Sequence, residues 1–160
     1  MIGAGCFFTD GNLVLAGLQK KSDRQIISGL GGCKESEEKL LDCAIREVYE
    51  ELFHVKDVPH ELIDETICRY IPKQFIQNGD YMIFVYSLWD LEEFCRLAQY
   101  YGIHSPVYDY MPTTVADLIF RRLSNPEAEI SRLCLLPLSR DFTIAPEFTK
   151  DIELFLEKRV

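Results

Sequence analysis

The apolar residues of this chain change rhythm several times, and the changes mark its elements. Residues 2–8 and 13–18 are nearly unbroken apolar runs on either side of Thr9-Asp10-Gly11-Asn12. They predict two strands joined at an Asp-Gly turn. Residues 25–28 make a short strand candidate, and Gly29-Leu30-Gly31-Gly32 reads as a tight loop. Leu41, Ile45, Val48 and Leu52 then recur at 4-3-4 spacing, one buried face of a helix spanning about 37–53. Ser36 is placed to cap it, with Glu37 and Glu38 in the first turn, where negative charge meets the positive end of the helix dipole.

Strands are predicted next at 65–71 and 81–89, with Gln77-Asn78-Gly79-Asp80 turning between them. Residues 91–101 read as a helix with Leu91, Phe94, Cys95 and Ala98 on one side, and 114–123 as a shorter one. The stretch 103–111 between them is irregular and aromatic. A strand follows at 130–138, then a helix started by Pro146 whose Phe148, Ile152, Phe155 and Leu156 form a core-facing stripe. No internal repeat or low-complexity linker interrupts the pattern. It predicts a single α/β (or α+β) domain over residues 1–160, a mixed sheet with helices against it and a helical insertion at 91–128.

Composition narrows the class. With 48% hydrophobic and 27% charged residues the chain is globular rather than disordered. No apolar run approaches the length of a membrane span, and the N-terminal run lacks the basic region of a signal peptide. An intracellular protein, cytoplasmic or nuclear and without membrane attachment, is expected. A net charge of −9 disfavours extended DNA or RNA binding and fits a small or locally gripped substrate beside an acidic metal site. The six cysteines include no C-x-x-C pair, and His54, His60 and His104 lack zinc-ligand spacing with any of them. Reduced thiols acting as small hydrophobes are expected.

The chemistry concentrates in Gly32-Cys33-Lys34-Glu35-Ser36-Glu37-Glu38 and the helix after it. Glu47, Glu50 and Glu51 stand at i, i+3 and i+4 on one helix face, beside the apolar stripe. Like charges at that spacing destabilise a helix unless something neutralises them. A bound hard cation does so, since Mg²⁺ takes carboxylate, phosphate and water oxygens. Arg46, four residues before Glu50, is placed to brace the cluster by ion pairing, and the glycine loop upstream lets backbone approach a metal or phosphate. Taken alone, the glutamates also fit a solvated acidic helix face.

The spacing of the whole segment separates these readings. Gly32, Glu38, Arg46, Glu47, Val48, Glu50 and Glu51 fill every position of G-x5-E-x7-R-E-U-x-E-E, where U is bulky and aliphatic. Six positions demand one residue each, so a chance match is on the order of 10⁻⁷ or less by average usage. On these residues the chain resembles the Nudix hydrolase superfamily. It departs from the pattern just afterwards, with Phe53 where glycine is usual and His54 where an aliphatic residue is usual, which puts the helix exit in question.

The resemblance implies a Nudix α/β/α sandwich whose box forms a loop-helix-loop against the mixed sheet. It implies Mg²⁺ or Mn²⁺ held by Glu47, Glu50 and Glu51, with the Gly31 carbonyl a frequent addition. Arg46 would orient the glutamates, Glu38 and Gly32 would support them from behind, and the general base would be Glu47 or Glu50. The order of elements after the box, with Glu129 just before a strand, looks like the branch of RNA-decapping and inosine-diphosphate-hydrolysing enzymes, and makes Glu129 a further metal-binding candidate. The implied substrate is a nucleotide or a nucleotide-capped RNA end. ADP-ribose, dinucleoside polyphosphates, diphosphoinositol phosphates or non-catalytic nucleotide binding are the alternatives, and an oligomer is left open.

Residues that would grip such a substrate are aromatic or basic. Phe75 and Tyr81, on or near the second hairpin, offer stacking surfaces, while Trp89 at a strand end reads as core. Lys20, Lys21 and Arg24 lie in a loop feeding the box and are candidates for phosphate contact. Tyr100-Tyr101 and Tyr108-Asp109-Tyr110 are candidates for a lid or a partner surface.

Overall fold

The computed structural model describes residues 2–21, 23–139 and 145–159. Of the expected 20–24 loop, Ser22 and the Lys21 side chain lie outside the described residues. The elements run β1 (Gly3–Thr9), β2 (Leu13–Lys21), β3 (Arg24–Ser28), β4 (Leu30–Cys33), α1 (Leu40–Phe53), α2 (His60–Arg69), β5 (Gln74–Asn78), β6 (Tyr81–Ser87), α3 (Leu88–Tyr100), α4 (Val115–Phe120), β7 (Ile130–Pro137) and α5 (Pro146–Lys158). Among the described residues no helix is long and apolar enough to cross a membrane.

The unbroken apolar run of β1 is buried along its whole length, as a central strand covered on both faces must be. It pairs parallel with β6 and antiparallel with β4. The Asp-Gly turn forms, with Gly11 at φ 95°, but β1 and β2 meet only at Thr9↔Val14. Beyond that pair they diverge, β2 taking β3 and β7 as neighbours. The sheet is mixed and runs β3-β2-β1-β6-β5, with β4 beside β1 and β7 beside β2. One face packs against α1 to α4 through Ala4, Cys6, Phe8, Tyr86 and Phe94, and the other against α5 through Phe7, Ile83, Phe148 and Phe155. Cys6, Cys43 and Cys95 are buried in the first of these cores.

Three expectations need correction. Residues 65–71 are not a strand: α2 occupies 65–69 and Tyr70 ends it. Leu62, Ile63 and Thr66 are buried at helical spacing, Thr66 Oγ bonds the Leu62 carbonyl, and Glu65 pairs with Arg69 one turn on. The hairpin partner of β6 is β5, in register Gln74↔Val85 to Asn78↔Tyr81. Residues 30–33 are not a tight loop but β4, paired with β1 from Cys6↔Leu30 to Gly3↔Cys33. The box helix starts at Leu40 rather than about 37, because Glu37 turns left-handed at φ 66°. Ser36 does not cap it, and Lys39 at the cap makes no side-chain bond.

Candidate active site

Two elements bring four carboxylates to the wall of one cavity. Glu47, Glu50 and Glu51 come from α1, and Glu129 from the residue before β7. With Glu127 and His54 they line an open cavity of about 320 Å³. A larger groove, about 910 Å³, runs along the outer side of α1 past Glu38, Arg46 and Glu50, so Glu50 borders both.

Backbone geometry explains how the inner carboxylates fit. Successive residues of β4 face opposite sides of the sheet. Gly32 faces α1, and a Cβ there would lie 2.4 Å from the Glu47 carboxyl carbon. Glu51 is only 6% exposed. Its Oε1 accepts the Gly31 N–H at 2.8 Å, whereas its Oε2 is buried with no hydrogen-bond partner among the described residues. Burial pushes the Glu51 carboxyl well above the ordinary carboxylate range, and the nearby Glu129, Glu47 and Glu50 charges push it the same way. Burial likewise raises Glu47 and Glu50, against the opposing pull of Arg46.

Arg46 organises the rest. Its Nε and Nη2 grip Glu38 at 2.7 and 3.1 Å, its Nη1 reaches Glu47 at 2.9 Å and Glu50 at 3.0 Å, and Nη2 also donates to the Cys33 carbonyl. Glu38 is in turn anchored by the Glu35 N–H at 2.9 Å. A fork-shaped donor suits this task, since one guanidinium satisfies three carboxylates and ties α1 to the end of β4. Among the described residues no three carboxylate, thiol or imidazole groups close on a single point. The four carboxylates offer oxygen donors that repel one another, with one buried oxygen unmatched among the described residues, and such donors fit a hard cation.

Other expected site residues are distributed differently. Tyr81 faces the α5 side: Cβ atoms on Gly5 and Gly31 would strike its hydroxyl at 2.2 and 1.9 Å, and one on Gly3 would meet its ring at 3.3 Å. The tyrosine therefore lies along a shelf of glycines on the face opposite Glu47. Phe75 is 65% exposed on β5, an edge strand separated from β4 by β6 and β1, and is not brought to the cavity. Arg24 pairs with Lys21 at the tip of the β2–β3 hairpin, two residues beyond Gln19. Trp89 is not core but 64% exposed, with the Arg96 guanidinium 5.7 Å from its ring.

Two contributors carry no signal in sequence spacing. Gln19 is buried, and its amide donates to Glu129 Oε1 at 3.3 Å. Arg122, from the turn after α4, donates to the carbonyls of Glu51 and Ile130. Only their long-range partners reveal them.

No protein-family model matches the chain, and no curated protein matches it. Solved structures do. A bifunctional NMN adenylyltransferase/ADP ribose pyrophosphatase from Francisella tularensis is 12% identical, with 98% of this chain superposed on 40% of that one at a TM-score of 0.50. A NUDIX hydrolase from Nitrosomonas europaea is 13% identical over 98% of this chain and 88% of its own, with a TM-score of 0.48. A NUDIX-family hydrolase from Clostridium perfringens is 16% identical over 99% and 97%, with a TM-score of 0.45. At these identities the likeness concerns architecture alone: a mixed sheet with flanking helices, shared with the part of the Francisella tularensis protein on which this chain superposes.

Proposed function

We propose that this protein is a divalent-metal-dependent Nudix pyrophosphohydrolase that cleaves a phosphoanhydride bond in a nucleoside-diphosphate-linked substrate. The observation that carries this reading is the buried Oε2 of Glu51, without a hydrogen-bond partner among the described residues, in a cavity lined by four other glutamates. A buried carboxylate oxygen without a partner is costly, and a cation is a partner that carboxylates lining one cavity can share.

Glu47, Glu50, Glu51 and Glu129 would hold Mg²⁺ or Mn²⁺, with the Gly31 carbonyl as a further oxygen. When bound, such an ion acidifies water and stabilises charge on phosphate oxygens. Arg46 fixes the direction of Glu47 and Glu50, and Glu38 fixes Arg46. Either Glu47 or Glu50 serves as general base: burial raises both, which moves a carboxylate toward the range useful for taking a proton near neutral pH. The base removes a proton from the attacking water, the new P–O bond forms, and the bridging P–O bond breaks to release the second phosphate product.

Lys20 and Arg24, exposed near the hairpin tip beyond Gln19, are the candidates for phosphate contact. The acidic chain disfavours a highly phosphorylated inositol and a long RNA footprint, so the preferred substrates are nucleoside diphosphates or the 5′ end of a nucleotide-capped RNA. Comparison of kcat/KM for IDP, GDP, capped RNA, ADP-ribose and a diphosphoinositol phosphate with Mg²⁺ or Mn²⁺ tests the assignment. A tenfold lead for either of the last two, about 1.4 kcal/mol of transition-state preference, would overturn the substrate class. Undiminished hydrolysis in excess chelator would overturn the metal reading.

A further inference from the structure

The last turn of α1 ends without the glycine usual in the Nudix pattern, and its orphan carbonyls are satisfied from elsewhere. The Glu50 carbonyl accepts the Val55 N–H at 3.3 Å. The Glu51 carbonyl accepts Arg122 Nη2 at 3.0 Å, the Leu52 carbonyl accepts Arg122 Nη1, and the Phe53 carbonyl accepts the Ser105 hydroxyl at 2.5 Å. Three successive carbonyls are thus closed by side chains from one segment, residues 101–125, which also packs Tyr108 against Phe53 at 6.0 Å between ring centroids.

Arg122 does more than close a helix end. The same Nη2 that bonds the Glu51 carbonyl donates at 2.8 Å to the carbonyl of Ile130, the neighbour of Glu129. One nitrogen therefore links the backbones beside two carboxylates that come from different elements. The guanidinium is itself held, lying 5.5 Å from the Tyr108 ring centroid with Nη1 donating to the Tyr108 hydroxyl at 3.2 Å. That hydroxyl donates onward to the Leu118 carbonyl. A planar fork can serve several carbonyls at once, which a lysine ammonium on a flexible stem does not reproduce. Its positive charge also suits the negative end of a helix dipole.

We propose that Arg122 is a positioning residue that sets the spacing of Glu51 and Glu129 and so tunes cation affinity without touching cation or substrate. The inference rests on the metal reading given above and adds to it a role for the segment between α3 and β7.

The test is Mn²⁺ titration by calorimetry on the full chain, below the melting temperature of each variant. Arg122→Ala is expected to weaken Mn²⁺ binding by about 10–100-fold, the range for residues that support metal ligands from behind. Guanidinium ion, added well below denaturing concentration, is expected to restore much of that loss in Arg122→Ala and to leave wild type unchanged. Arg122→Lys should fall between. Arg121→Ala serves as the control, because Arg121 is exposed and pairs with Asp117 at 3.2 Å. A folded Arg122→Ala that binds Mn²⁺ within about twofold of wild type overturns the proposal. If Arg122→Ala does not fold, a folded Arg122→Lys with unchanged affinity overturns it. Glu51→Gln separates the two levels: wild type that binds Mn²⁺ while Glu51→Gln does not supports the metal site whatever Arg122 does. Wild type that binds no Mn²⁺ overturns both.

Discussion

Gly32 and Glu47 share one space: the carboxyl carbon of the glutamate lies 2.4 Å from where a Cβ on the glycine would stand, and its two oxygens lie at 2.5 and 2.6 Å. The glycine is required by the glutamate's position rather than by a turn. Gly32→Ala should therefore push the carboxylate aside while leaving β4 paired, since the clashing atoms are the end of a flexible side chain. Mn²⁺ affinity and turnover are expected to fall about tenfold, and stability to change by about 1 kcal/mol or less. Calorimetric titration beside chemical denaturation checks this; a variant that melts early yet binds Mn²⁺ normally would assign the glycine to folding alone.

Glu51 should make the metal-free protein depend on pH in an unusual direction. Its folded carboxyl is raised, so between the ordinary carboxylate value of 4.5 and that raised value the folded chain holds a proton the unfolded chain has lost. Stability then falls as pH rises through this window. Glu47 and Glu50, also raised, act in the same sense. In chelator, Glu51→Gln is expected to melt above wild type at about pH 8 and to converge with it toward about pH 5. In saturating Mn²⁺ the order should reverse, because only wild type gains from binding, by about 2.7 kcal/mol at a hundred times Kd. Melting curves at the two pH values decide it; a metal-free wild type that is the more stable protein at about pH 8 contradicts the assignment.

These carboxylates were legible in sequence because α1 obeys one period: Ile45, Val48 and Leu52 face the core, and Glu47, Glu50 and Glu51 fall beside them. The final helix was legible for the same reason, with Phe148, Ile152 and Phe155 buried as a stripe. The region 60–78 was not. Taken by itself, 65–71 is too short a window to show a helical period, and the spacing of Leu62, Ile63 and Thr66 emerges only when the element starts at His60. Gly31 and Gly32 resembled a loop because strand signals rely on side chains that these positions must lack. The side of the sheet that Tyr81 occupies depends on register, where one residue reverses every face. Arg122 acts on backbone carbonyls 70 and 71 residues away, a relation no local pattern encodes.

The glycine shelf under Tyr81 supplies a third prediction. A Cβ on Gly5 would stand 2.2 Å from the Tyr81 hydroxyl and 2.3 Å from the Leu30 carbonyl oxygen, and the second of these is backbone. Unlike the glutamate over Gly32, a paired strand cannot swing away. Gly5→Ala should cost roughly 1–3 kcal/mol, the range for overpacking a tight core, whereas Tyr81→Phe, which removes the crowded hydroxyl, should change stability little and leave Mn²⁺ affinity intact. Denaturation of both variants provides the comparison. Loss of Mn²⁺ binding in Tyr81→Phe would show that the tyrosine reaches the carboxylates after all.

The exit of α1 makes the last prediction, because two adjacent substitutions should act with opposite sign. The Nudix pattern places glycine at position 53, but here Phe53 is fully buried, its ring stacked on Tyr49 at 6.3 Å and edge-on to Tyr108 at 6.0 Å. The left-handed residue that ends the helix is the next one, His54, at φ 51°. Restoring glycine at 53 would empty a ring-sized volume beside Tyr49 and Tyr108, and Phe53→Gly should cost at least the 3–5 kcal/mol of a buried Phe truncation, about 1 kcal/mol more coming from glycine's chain entropy. His54→Gly meets a backbone already in the conformation glycine accepts without penalty, and should stabilise by about 1 kcal/mol. Denaturant midpoints for the two variants measure both effects. If Phe53→Gly were the milder change, the left-handed turn would belong at 53, and the clamp of Ser105, Tyr108 and Arg122 on this helix end would be misplaced by one residue.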